Sequence, residues 1–272
     1  MSAVFLIAGI SAVYLGMCAF LYIKQDDYIY FPERKITATP LTFGIPYEDL
    51  HVPASDGISV NCWLIRAGDP TGAVVFAHGN GGNLGDRVEK YLLLRDLGLT
   101  VFAFDYRGYG NSGGSPSEEG FYLDAEAVVS EAGRRGFGGG NLILYGESIG
   151  GAVAAKVAAK SGAAGLIIES SFTSAAEMAK HYYPAFPVKL IMRSEFDTLR
   201  SMRSCACPVL VMHSPGDDII PYRMGLHLYE SAPGPKRFAR LEGGHNGGGI
   251  LVSAEAREDL RSFVKDLMKG RE

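Results

Sequence analysis

The sequence predicts an α/β fold with a mostly parallel central sheet, helices on both faces, and one apolar helix ahead of the domain. Three observations carry that prediction. Short apolar runs alternate with helix-like segments along most of the 272 residues. Polar or glycine-rich turns follow several of those runs directly. The stretch from Ser2 to Ile23 contains no charged residue.

The composition agrees with a folded domain. Hydrophobic residues make up 47% of the chain and charged residues 21%, enough for a sizeable core. The net charge is −4 and the basic residues are scattered singly, which argues against a nucleic-acid surface. Four cysteines are too few for a disulfide framework at this length, and Cys205 and Cys207 lack partners at zinc-like spacing.

The first element is the apolar stretch. As a helix its 22 residues would span about 33 Å, against a hydrocarbon layer of about 30 Å. A cleavable signal peptide would carry a basic start and a shorter apolar run, and Met17 ahead of Cys18 suits a lipoprotein cleavage site poorly. Residues 1–24 therefore read as an uncleaved single-pass anchor, with the bilayer as a partner. Tyr28, Tyr30 and Phe31 follow at the position of an interfacial aromatic belt. Lys24, Arg34 and Lys35 follow the span and no basic side chain precedes it. The positive-inside tendency then puts the rest of the chain in the cytoplasm.

In residues 25–272, strands are expected over 58–67, 72–77, 100–106, 141–145, 164–169, 208–213 and 236–241. Helices are expected over 87–97, 118–135, 149–161 and 254–269. Alternation of this kind implies right-handed crossovers and a parallel sheet. Ligands of such sheets sit beyond the carboxyl ends of the strands, so the residues just after each apolar run are where chemistry is sought.

Gly146-Glu147-Ser148-Ile149-Gly150 lies between a strand and an alanine-rich helix. A sharp strand-to-helix turn exposes the serine, and the flanking glycines let strand and helix pass closely. A serine hydroxyl needs a base. Of the six histidines, His245 stands directly after the last expected strand and is the best placed. The base needs an acid to fix its tautomer, and Asp217 and Asp218 follow the strand ending at His213. Asp217 is preferred and Asp218 stays open. The oxyanion of a tetrahedral intermediate needs two donors. The N–H of Ile149 is one, and Asn80 in the glycine-rich loop His78-Gly79-Asn80-Gly81-Gly82 is the other. His78 reads as a brace of that loop.

With the motifs Tyr30-Phe31-Pro32, His78 to Gly82, Asp105 to Ser112, Gly146 to Gly151, Asp217 to Pro221 and Gly244-His245-Asn246, the chain from about Tyr30 onward resembles the α/β-hydrolase superfamily. It is most similar to a membrane-anchored branch that includes protein depalmitoylases and their bacterial relatives. The resemblance implies an α/β-hydrolase fold and a catalytic domain over residues 25–272. Asp105-Tyr106-Arg107 would act as structural bracing. Ser214 departs from the pattern, since relatives often have glycine there.

Residues 172–203 break the alternation, at the position where this fold carries a small cap. Tyr182, Tyr183 and Phe186 would there contact an acyl chain, or else pack an ordinary helical excursion. The expected chemistry is hydrolysis of an ester or thioester, on lipid-like or acylated substrates, through Ser148, His245 and Asp217. No metal or organic cofactor is implied. An amide or peptide hydrolase on the same residues, or a non-catalytic membrane-bound binding module, are the alternatives. The substrate and the oligomeric state stay open.

Overall fold

Residues 2–269 are described by the computed structural model. After α1 (Ser2–Ile29) and β1 (Phe31–Pro32) come β2 (Glu48–Pro53), β3 (Ser59–Ile65), β4 (Gly72–Ala77) and β5 (Gly81–Gly82). The chain continues through α2 (Val88–Asp96), β6 (Leu99–Phe104), α3 (Glu118–Arg134), β7 (Leu142–Glu147), α4 (Ile149–Ser161) and β8 (Gly165–Glu169). Three short helices follow, α5 (Ala175–Tyr182), α6 (Val188–Ile191) and α7 (Thr198–Arg203). The domain closes with β9 (Val209–His213), α8 (Tyr222–Ser231), β10 (Lys236–Arg240) and α9 (Ala254–Met268).

Eight strands form one sheet in the order β10-β9-β8-β7-β4-β6-β3-β2. The pairs from β10 to β6 are parallel, and β3 and β2 join antiparallel at one edge. The central strands are buried on both faces, which is why their sequences are continuous apolar runs rather than alternating ones. Val75, Phe102, Leu144 and Ile168 face a layer that includes Phe121 of α3, Val153 of α4 and Leu228 of α8. Their neighbours Val74, Val101, Ile143 and Ile167 face the other layer, with Tyr91 of α2 and Leu260, Phe263 and Val264 of α9. The period of two along each strand thus divides one apolar run between two cores.

Among the strands, two features lie outside the seven expected ranges. The edge strand β2 has half-exposed, partly polar residues, so it lacks the apolar signal of the inner strands. The two-residue strands β1 and β5 pair in parallel, Phe31 with Gly81 and Pro32 with Gly82, and so fasten the segment after α1 to the glycine-rich loop.

α1 has a mean hydropathy of 2.3 over its apolar window and leaves nearly all of that window unburied, as a lipid-facing helix does. It runs past Ile23 through Ile29 because no helix breaker intervenes before Pro32. α5, α6 and α7 occupy residues 175–203, between β8 and β9. They lie on the carboxyl-end side of the sheet, where Met178, Val188 and Phe196 share a cavity with Ser148.

The turn between β7 and α4 leaves no room for side chains at its glycines. A Cβ on Gly146 would stand 2.2 Å from Gly150 O, and one on Gly150 would stand 2.0 Å from Ala77 O. Both obstacles are backbone. Gly150→Ala is expected to destabilise the protein by about 3 kcal/mol or more, read from the urea midpoint of solubilised protein. Gly133→Ala, where nothing lies within 4 Å, should instead gain about 0.5–1 kcal/mol of helix stability. Equal midpoints for the two variants would contradict the packing described.

Candidate active site

Ser148 sits at the junction of β7 and α4 with φ 54° and ψ −119°. Positive φ is costly for a residue with a Cβ. Ser148 N donates to Glu169 O at 2.9 Å, and Ser171 Oγ donates to Ser148 O at 2.7 Å. These bonds hold the backbone in place while the side chain projects into a cavity.

β10 ends just before the loop that carries His245, and β9 ends just before the loop that carries Asp217. His245 Nε2 lies 3.2 Å from Ser148 Oγ, and His245 Nδ1 lies 2.8 Å from Asp217 Oδ2. The Asp217 side chain is fully buried. Its other oxygen accepts from the N–H of Ile219 at 2.9 Å and of Ile220 at 2.7 Å. Burial pushes the Asp217 carboxyl up, but the hydrogen bonds from His245 and from these amides outweigh it, and its pKa lies below the ordinary value. Asp218 points elsewhere. Its Oδ1 accepts from the backbone N–H of His245 at 2.9 Å, so it holds the loop and does not touch the ring.

The neighbouring loops are tied together. Ser214 Oγ donates to Gly243 O at 2.6 Å and accepts from Gly216 N at 3.0 Å. A glycine at position 214 would lose this bridge between the acid loop and the histidine loop. His213 is buried with Nε2 3.0 Å from Ile220 O, and burial holds its pKa below the ordinary value.

The glycine-rich loop after β4 faces Ser148. A Cβ placed on Gly79 would stand 3.5 Å from Ser148 Cβ. The side chain of Asn80 is engaged away from the reaction site. Its Oδ1 accepts from Tyr109 Oη at 2.9 Å and from Phe31 N at 3.4 Å, and its Nδ2 donates to Ile29 O at the end of α1. With its side chain engaged, Asn80 keeps its backbone N–H free of these contacts. Ile149 is the first residue of α4, so its N–H has no intrahelical carbonyl to meet. His78 is fully buried, with Nδ1 2.7 Å from Gly79 O, Nε2 3.2 Å from Asp105 Oδ1, and its own carbonyl accepting from Tyr106 Oη at 2.9 Å. Arg107 meets Asp124 at 2.8 Å and Asp56 at 2.6 Å and pins the loop after β6.

Ser148, Ile149, Asn80 and His245 line one cavity of about 600 Å³. Tyr182, Tyr183 and Phe186 line it as well, with Tyr182 Oη donating to Ile219 O at 2.8 Å. Leu21 and Ile29 of α1 contribute to the wall, and Met178, Ile191 and Phe196 add further apolar surface. The lining is mainly apolar, with polar groups gathered near Ser148.

A charged cluster that no sequence pattern marks lies under this site. Lys90 Nζ lies 2.7 Å from Glu147 Oε2 and 2.9 Å from Glu169 Oε2, and Arg87 lies 3.6 Å from Glu147 Oε1. Tyr145 Oη donates to Glu169 at 2.6 Å, and Ile250 N donates to its other oxygen at 3.0 Å. Lys90 and its two carboxylates are 57 and 79 residues apart, and Lys90 reads as one solvated position of an amphipathic helix. Only Glu147, between Gly146 and Ser148, hints at the cluster. Burial pushes the Glu147 carboxyl up, yet Lys90 and Arg87 pull it down further, to about 2.

The comparisons with known proteins agree with this architecture. The sequence model of a family described as serine aminopeptidase, S33, matches residues 68–199. An uncharacterised membrane protein of Saccharomyces cerevisiae is 34% identical over 259 residues, 88% of this chain and 89% of the relative. The alpha/beta hydrolase domain-containing protein WAV2 of Arabidopsis thaliana is 28% identical, covering 78% of this chain and 77% of that protein. The structure of the Pyrococcus furiosus esterase Pf2001 superposes with a TM-score of 0.68 at 18% identity, covering 89% of this chain and 97% of that one. The chain belongs to the α/β-hydrolase superfamily, and its helix α1 is long and apolar enough to cross a membrane.

The charged cluster yields an acid-sensitivity test. Glu147 is depressed from 4.5 to about 2, so its contribution is complete above about pH 4.5 and fades as the pH falls toward 2. The stability difference between the protein and Glu147→Gln should therefore shrink on going from neutral to about pH 3. Lys90→Met, which strips two buried carboxylates of their shared cation, should cost about 3–5 kcal/mol at neutral pH. Chemical denaturation at the two pH values reads both, and a pH-independent difference for Glu147→Gln would contradict the assignment.

Proposed function

We propose that the protein is a membrane-anchored serine hydrolase that cleaves carboxylic esters or thioesters of apolar acyl groups. The observation that carries the reading is the run Asp217–His245–Ser148, at 2.8 and 3.2 Å, opening onto an apolar cavity. Ser148 Oγ attacks the acyl carbonyl while His245 Nε2 takes its proton. The oxyanion is received by the backbone N–H groups of Ile149 and Asn80, helped by the N-terminal end of α4. His245 then protonates the departing alkoxide or thiolate. Water, activated by the same imidazole, clears the acyl-enzyme. Asp217 holds the imidazole in one tautomer and stabilises its charged form.

The cavity favours acyl groups over peptides. Its lining residues Leu21, Met178, Phe186, Ile191 and Phe196 offer an extended apolar surface but few backbone partners for a peptide chain. The apolar span favours substrates presented at a bilayer, such as lipid-like esters or S-acylated polypeptides. Lys24, Arg34 and Lys35 after the span support a catalytic domain on the cytoplasmic side.

Ser148→Ala and His245→Ala are expected to lower kcat by on the order of 10⁶, and Asp217→Asn by about 10⁴. Asp218→Asn should keep most of the activity, since Asp218 bonds only the His245 backbone. An active Asp217→Asn beside an inactive Asp218→Asn would overturn the choice of acid. A panel of p-nitrophenyl esters, acyl-CoA thioesters and aminoacyl amides separates the ester and thioester reading from an amide hydrolase. Turnover confined to the amides would contradict the proposal, and no turnover on any would point to a binding module.

A further inference from the structure

The position of the cap relative to α1 fixes how deep the cap lies. Tyr14 of α1 donates from its Oη to Ala185 O at 2.8 Å, and its ring stacks on Phe186 with centroids 5.7 Å apart. The first charged side chain after the apolar stretch is Lys24, ten residues on. At helical rise that separation is about 15 Å, half of a hydrocarbon layer of about 30 Å. A residue that touches Tyr14 side on shares its depth.

The contacts are graded along the helix. Near the charged end of α1, Gln25 Nε2 donates to Ile191 O at 3.2 Å, and Gln25 Oε1 accepts from Arg193 N at 2.7 Å. Arg193 pairs with Asp26 at 2.7 Å. The cap segment thus lies along α1, with aromatic contact at the deep end and an ion pair at the surface end.

The segment is also chemically suited to hydrocarbon. Among residues 182–192 only Lys189 is charged, and its long stem lets the ammonium reach the interface. Leu190 is 83% exposed to solvent in the isolated chain. Pro184 and Pro187 have no N–H to satisfy. The N–H groups of Tyr183, Phe186, Val188, Leu190 and Met192 donate to carbonyls of the cap itself, and the carbonyls of Ala185 and Ile191 accept from α1 side chains. Non-helical backbone is tolerated at membrane depth where it packs on protein or lines a cavity, and here it packs on α1 and lines the cavity.

We propose that residues 183–190 of the cap are immersed in the hydrocarbon layer beside α1, so that the cavity opens sideways into the bilayer and receives acyl chains from the lipid phase. The partner is a lipid surface. Leu21 and Ile29 of α1 share the cavity wall with Phe186 and Ile191, so the span itself forms one side of the passage. The immersion rests on α1 being a membrane span, and the use of the passage rests on the hydrolase reading above.

The test uses the full chain in phosphatidylcholine vesicles, with or without bromine on the acyl chains. Trp63 is the single native tryptophan and is buried, so it gives a constant background. Leu190→Trp should lose fluorescence to the brominated lipid, though less than Val13→Trp deep within the span, while Glu258→Trp on α9 should not. Quenching of Val13→Trp with none for Leu190→Trp would overturn the immersion and leave the span standing. Failure to quench Val13→Trp would overturn both. Neither readout depends on hydrolysis, so an inactive Ser148 leaves the result valid. As a second measurement, Leu190→Asp should raise KM for a long-chain ester held in vesicles while leaving a short soluble ester unaffected. An equal effect on both substrates would contradict lateral passage.

Discussion

The backbone of one residue, Ser148 at φ 54°, is the constraint on which the site depends. A serine in this conformation costs on the order of 1–3 kcal/mol, which only a determined surrounding can offset. The surroundings here are specific. Gly146 and Gly150 allow β7, α4 and the end of β4 to approach until no Cβ would fit. Glu169 O and Ser171 Oγ then fasten the turn from β8 and the loop beyond it. Strain, glycine and hydrogen bond belong to one device, and it directs Oγ at His245.

The remaining parts of the site are loops made rigid by one another. Ser214 joins the acid loop to the histidine loop, and Asp218 holds the backbone of the residue whose ring Asp217 meets. Asn80 binds the glycine-rich loop to Tyr109 and to the last turn of α1. The apolar helix α1 is therefore in direct contact with the candidate oxyanion loop. Below, Lys90 and Arg87 neutralise Glu147 and Glu169 where unpaired carboxylates could not be buried. This cluster connects α2, β7 and β8 beneath the serine.

Much of this arrangement was legible in the sequence because it is local. The alternation of apolar runs gives the parallel sheet, and the residues after β4, β7, β9 and β10 are those that converge. The glycines flanking Ser148 are adjacent to it in the chain and state their purpose. Other features depend on long-range contact and left little trace. β2 is half-exposed and gives no apolar run. The β1–β5 pairing is two residues long on each side, too short for any periodicity. Lys90 resembles any helix-surface lysine until β7 and β8 bring two carboxylates to it. Asp217 and Asp218 are chain neighbours of the same type, and only the fold distinguishes the one that meets the ring from the one that meets the backbone. The contact of Tyr14 with Phe186 spans most of the chain, and periodicity within α1 gives no sign of it.

The most direct measurement of the central claim is the site of covalent capture. The full-length protein is treated with a fluorophosphonate, digested, and the phosphonylated peptide identified by mass spectrometry. One adduct is expected, on Ser148, formed by the native protein and lost in Ser148→Ala. An adduct on another residue, or undiminished labelling of Ser148→Ala, would contradict it.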